Sequence, residues 1–235
     1  MARLPESFLE WNYYARRNLL LQLVEGQRLS PEKFFLEFTR HNPALVTATC
    51  ASGEVKVNAK IVGCGYVPRE EYADEVTRKL EEHVKLSDEK YLQASGDKET
   101  LRRLYEEHSL RGARLLLQLV YHPRGVAEKC MDFEKLATVE LAKRVRDRPH
   151  QTWSIVQSSR AASLLFFQPP SVSFEVKGKL TVHLDDAVHK LVTLIHDAYH
   201  YTPPEHRSDR PVYVLHVEQV YDKSPTPSGF GRRLV

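Results

Sequence analysis

From Val172 to Leu184 the chain alternates in polarity with a period of two. Val172, Phe174, Val176, Leu180, Val182 and Leu184 are apolar, whereas Ser173, Glu175, Lys177, Lys179, Thr181 and His183 are polar. This period matches an antiparallel strand with one buried face, and Gly178, which interrupts the apolar series, predicts a bulge or bend. A hairpin is predicted earlier, from ALVTATC (44–50), the turn ASGE and VKVNAKIVG (55–63), with Val55, Val57, Ala59 and Ile61 sharing a face. TWSIV (152–156), ASLLFF (162–167) and RPVYVLHVEQVY (210–221) predict further strands.

Between these segments the pattern shifts to helical spacing. Residues 5–25 carry a broad apolar face that includes Phe8, Trp11 and Leu19. A second helix begins at SPEK, where Ser30 can cap, Pro31 suits the first turn and Glu32 favours the positive end of the dipole; Asn42-Pro43 stops it. Residues 68–147 predict a helical region, broken at ASGD (94–97) and HPRG (122–125), whose last part is DFEKLATVELAKRVRDR. A further helix over 186–200 has Val188, Leu191, Val192, Ile195 and Tyr199 on its core stripe. His189, Thr193, His196, Asp197 and His200 are then expected to face solvent.

The predicted fold class is α+β. N-terminal helices (1–42) precede an antiparallel β core (43–67 and 152–221), which is interrupted by a helical insertion (68–151) and followed by an extended tail (222–235). A chain of 235 residues, 42% hydrophobic and 28% charged, can bury a substantial core. Its 34 Lys and Arg against 31 Asp and Glu leave a net charge of +3 with mixed signs, so a dedicated nucleic-acid surface is not indicated. No apolar run reaches the roughly 18–20 residues that span a bilayer. Cys50, Cys64 and Cys130 form no close pair, and a reducing intracellular compartment, cytoplasm or mitochondrial matrix, is expected.

HDAYHYTPPEH (196–206) is the stretch nearest to a chemical motif. His196 and His200 are four apart and share a helix face, and His206 stands where a third zinc ligand falls in metzincin-type proteases. Asp197, however, replaces the general-base Glu and Pro203 replaces the turn glycine, so a polar helix face without metal is expected. GCGY (63–66) is neither a dinucleotide fingerprint nor a P-loop, and no GxSxG elbow is present. No catalytic residue is predicted.

Two segments resemble the FMN-binding split barrel of pyridoxamine-phosphate-oxidase-like proteins. PALVTATCASGEVKVNAKIVG (43–63) is similar to that family's opening hairpin, and SSRAASLLFFQPPSVSFEVKGKLTVHLDD (158–186) to its later strands. The resemblance implies a sheet closed as a split β-barrel, with Lys60, Ser159 and Arg160 holding a flavin phosphate. On the residues alone, the expected function is a non-catalytic accessory subunit or adaptor without cofactor. Such a subunit would be held in a larger assembly by its N-terminal aromatic helices and its tail. An FMN-binding oxidoreductase or flavin module is the alternative, and a ribonucleoprotein component contacting RNA a further one.

Overall fold

The computed structural model describes the chain except residues 52, 95, 142–143, 146–147, 150 and 208–209; at 51, 144–145 and 148–149 it describes the backbone alone. The predicted turns ASGE and ASGD each include one residue outside the described set. The segment read as helix at 132–148 includes four more, residues 142–143 and 146–147.

The N-terminal segment is helical from Glu6, with α1 (Glu6–Leu9), a π turn (Glu10–Tyr14) and α2 (Ala15–Val24) running on without a break. The helix α3 (Pro31–Thr39) starts as its sequence predicts, with the Ser30 hydroxyl accepting from the Lys33 amide at 3.2 Å. The hairpin β1 (Ala44–Ala51) and β2 (Glu54–Ile61) leads into β3 (Gly65–Pro68). Next come α4 (Glu70–Gln93), α5 (Lys98–Leu119), α6 (Arg124–Cys130) and β4 (Met131–Val139). The two-residue strands β5 (Arg144–Val145) and β6 (Arg148–Pro149) pair with each other, and α7 (Gln151–Val156) follows. The chain then forms β7 (Ala161–Gln168), β8 (Val172–His183), α8 (Ala187–Tyr199), β9 (Val212–Asp222) and β10 (Arg232–Arg233).

One eight-stranded antiparallel sheet runs β2-β1-β7-β8-β9-β4-β3, with β10 paired to β9. Its two edges, β2 and β3, are consecutive in the chain and joined only by residues 62–64. A linker that short spans about 14 Å at most, so the sheet must curl until its edges nearly meet. The result is a barrel open along one seam. Backbone bonds from Val62 to Pro43 and from Cys64 to His41 carry the β1–β2 pairing on into this linker.

The β8 alternation holds: Phe174, Val176, Gly178 and Leu180 are buried, and the register with β9 slips between Lys177 and Gly178. A Cβ at Gly178 would stand 1.9 Å from the His216 carbonyl oxygen, so the strands approach there more closely than any side chain allows. Phe8 fills the barrel from the N-terminal helix, edge-on to Phe166 at 5.1 Å and to Phe174 at 5.4 Å. Tyr13 packs against Tyr66 and Phe133 and donates its hydroxyl hydrogen to the Val120 carbonyl.

Four expectations need correction. Residues 131–139 are strand, not helix: β4 lies between β9 and β3, and its largely buried side chains blur the period-two signal. The predicted insertion therefore contains a strand of the main sheet. TWSIV is helical, and its buried Thr152, Ile155 and Val156 fall at i, i+3 and i+4, a spacing that outweighed β-branched composition. The polar side of α8 does not face solvent as a whole: Asp197 is buried against Arg210, His189 meets the Arg210 carbonyl and His196 lines a pocket shared with α2 and β4, while Val192 packs with Val67, Ala137, Val212 and Val214. Finally, the tail docks on its own chain, with Leu234 donating to the Val220 carbonyl and Leu234 and Val235 packing on the core.

Candidate functional site

The site builds around α8, which is held from both sides. Asp197, only 2% exposed, makes two bonds to Arg210, at 2.9 and 2.8 Å, and accepts from His196 Nδ1 at 2.8 Å. Burial alone would raise the Asp197 pKa, but the hydrogen bonds and charges of Arg210 and His196 outweigh it and bring the pKa down to about 2. The last carbonyls of α8, which have no partner within the helix, are capped from α4 and α5. His108 Nε2 meets the Asp197 carbonyl at 2.7 Å, His83 Nε2 the Ala198 carbonyl at 2.9 Å, and the Ser109 hydroxyl donates to the Tyr199 carbonyl at 2.9 Å.

Arg111 fixes the tautomers by donating to His83 Nδ1 at 2.9 Å and to the Ser87 hydroxyl, which lies 2.7 Å from His108 Nδ1. Both rings are thus neutral with the proton on Nε2. Burial holds both pKa values down, that of His108 to about 4. The two imidazoles stack at 4.3 Å.

On the other side of α8 lies a pocket of about 120 Å³ between α2, α3, the β2–β3 linker, β4 and α8. His41 and Thr138 line it, and the two His41 ring nitrogens and the Thr138 hydroxyl are buried without a hydrogen-bond partner. Buried polar groups are almost always paired, and each unpaired one costs about 1–3 kcal/mol. Burial, followed by the charges of Arg16 and Arg40, pushes the His41 pKa well below the ordinary histidine value, so its ring is neutral. Arg16 stands in the wall, 5.8 Å from the Tyr199 ring centre, and its charge and hydrogen bond act on Tyr121. Cys64, also in the wall, has its pKa raised to about 12 by burial, so its thiol is not a nucleophile at neutral pH. Gly63, Phe38 and His200 are the exposed members of the lining and mark the mouth.

The three histidines of the motif separate. The His196 and His200 rings lie 5.4 Å apart at the pocket, whereas His206 is exposed in a 3-10 turn (Pro204–His206). Among the described residues no three His, Cys, Asp or Glu side chains are grouped to hold a metal ion.

Lys60 and Arg160 do converge. Lys60 forms an ion pair with the buried Glu140, Tyr213 donates to the same carboxylate, and the Arg160 charge acts on Tyr213. Ser159 directly precedes Arg160, and its amide bonds to the Ile155 carbonyl. As it stands this set does not fit a flavin phosphate, because Glu140 already neutralises Lys60 and would oppose a second anion.

The outer sheet face is different in character. Ile61, Ala44 and Leu165 lie side by side across β2, β1 and β7, as do Ala59, Val46 and Ser163. Val55, Val57 and Ile61 are 71%, 62% and 69% exposed, and Leu165 and Phe167 are exposed beside them. Gln168, on the inner face of β7, accepts from the Trp11 indole and donates to the Leu36 carbonyl, and α3 exposes Phe34, Phe35 and Phe38. Glu175 and Lys177 bound the apolar area on β8.

Alternation locates β1, β2, β7, β8 and β9, but it misses β4, which carries Thr138, and does not single out His41, Thr138 or Arg16. His83 and His108 did leave a signal. Each is a polar residue on an otherwise apolar stripe, with Val76, Leu80 and Val84 in α4 and with Leu104 and Leu116 in α5.

No family model matches the chain, and no curated protein matches it. Solved structures with some likeness include HupZ of group A Streptococcus (11% identity, TM-score 0.40), covering 87% of this chain and 99% of that one. A Listeria innocua protein assigned as a pyridoxamine 5′-phosphate oxidase is 10% identical at a TM-score of 0.37, with 88% and 97% covered. An F420 reductase is 13% identical at 0.35, with 77% and 90% covered. The chain is a mixed α/β protein built on an eight-stranded antiparallel sheet. Among the described residues no helix is long and apolar enough to cross a membrane.

Proposed function

We propose that the chain is a protein-binding subunit that works docked to a protein partner through the outer face of β2, β1 and β7. The supporting observation is the contiguous exposed apolar surface from Val55 to Phe167, bounded by charge at Glu175 and Lys177. Apolar surfaces of this kind are rarely left bare on monomers and are the usual centre of an interface. β2 is also a sheet edge whose outer backbone groups are unpaired by any strand, a second reason for it to meet another chain. The aromatics of the first helix are not part of this surface, since Phe8 and Tyr13 are spent on the core.

Sedimentation and native mass spectrometry of the chain isolated from its own cells test the reading. The expected result is a mass above 27.1 kDa that Val57→Lys with Ile61→Lys reduces to the single chain. A wild-type chain that sediments alone under both conditions would overturn it.

A second reading, an FMN-binding split-barrel module, is supported by the open barrel seam and by Lys60 and Arg160 gathered around Tyr213. On this reading Glu140→Gln frees Lys60 and strengthens FMN binding, read by flavin absorbance and fluorescence quenching. Unchanged absence of binding in wild type and variant would remove it.

A further inference from the structure

We propose that the pocket lined by His41 is a binding site for a short-chain monocarboxylate, smaller than a benzene ring, held by Arg16, His41 and Thr138. His41 is 7% exposed and Thr138 6% exposed, and their three polar side-chain atoms without partners all belong to residues lining this one pocket. Each came from a different element, the α3–β1 link and β4, so local chain geometry does not account for their meeting.

The sign of the ligand follows from the walls. Arg16 contributes a guanidinium, and among the described residues no carboxylate lines the pocket. Neutral His41 has one N–H to donate, Thr138 one O–H, and Arg16 several N–H groups, which together match the lone pairs of one carboxylate. A doubly charged phosphate would carry one more charge than the Arg16 guanidinium matches. Tyr66, Val192 and Ile195 offer an apolar wall for the body of the ligand.

Size sets the upper limit. A cavity of about 150 Å³ is known to hold benzene, and this one is about 120 Å³, so the ligand is a short-chain carboxylate smaller than a benzene ring. It lies apart from the apolar sheet face, so it stands or falls independently of the partner reading.

The test uses sodium propionate as probe on the full chain, by isothermal titration calorimetry and thermal shift, with propionamide as the uncharged match and inorganic phosphate as the dianion. Propionate is expected to saturate one site, with propionamide and phosphate weaker by roughly tenfold or more. Arg16→Gln should weaken propionate by a similar factor. His41→Phe should lose it too while leaving the melting temperature unchanged or higher, because it replaces an unpaired buried ring by an apolar one. If Arg16→Gln does not fold, His41→Phe carries the test. No saturable propionate binding, equal binding of propionamide, or wild-type affinity in His41→Phe would overturn the proposal.

Discussion

Gly112 sits in the middle of α5, where helix propensity alone predicts that alanine is better by about 1 kcal/mol. The packing predicts the opposite sign. A Cβ at Gly112 would stand 1.6 Å from the Ala198 carbonyl oxygen, 2.6 Å from its carbon and 3.2 Å from His83 Nε2. An ordinary carbon–oxygen contact is about 3.3 Å, so α5 would have to withdraw from α8 by roughly 1.7 Å. That displacement stretches the bonds of His108 and Ser109 to the α8 carbonyls, now 2.7 and 2.9 Å, and disturbs His83 on Ala198. Each lost bond costs about 1 kcal/mol and each buried group left unpaired about 1–3 kcal/mol. After the propensity gain, Gly112→Ala should destabilise the protein by about 3–5 kcal/mol. Urea unfolding followed by far-ultraviolet circular dichroism measures it, with Gly125→Ala as control, since nothing lies within 4 Å of a Cβ there. Gly125→Ala should leave stability equal or slightly higher. A Gly112→Ala protein as stable as wild type would refute the close contact between α5 and α8.

Three further outcomes follow from the same region and from the sheet. His108 has its folded pKa lowered to about 4 from 6.5, so between these values the unfolded chain takes up a proton that the folded one refuses. His108 should therefore account for about 3 kcal/mol of the stability lost as pH drops from 6.5 to 4, with His200, also lowered to about 4, adding to the loss, and His108→Gln should remove the His108 share in pH-dependent denaturation. Asp197, with its pKa lowered from 3.8 to about 2, adds a further loss as pH falls between those values. Asp197→Ala leaves Arg210 buried and unpaired and should cost about 3–5 kcal/mol by chemical denaturation; Asp197→Leu combined with Arg210→Met should cost clearly less. Phe174→Ala should cost about 3–5 kcal/mol, and an unchanged melting temperature would contradict the β8 register.

The strands and helices that were legible share one property: a single environment on each face. β8 has a core on one side and a polar exterior on the other, so its alternation, and even the break at Gly178, could be read directly from residue order. The Ser30 cap of α3 depends on neighbours three residues away and was equally readable. β4 and α8 lose that clarity because each is covered on both sides, β4 by the barrel core and by α8, and α8 by the sheet and α4–α5. A stripe analysis then assigns a solvent face that does not exist, and Asp197 was placed in water when it is buried against Arg210. The pocket is more extreme. Arg16, His41 and Thr138 are 25 and 97 residues apart in turn, and no local period links them. Residue order determined the alternating strands, the caps and the apolar β2 face; whether that face is covered, and which distant polar groups share a cavity, was decided only when the sheet curled to bring its edges together.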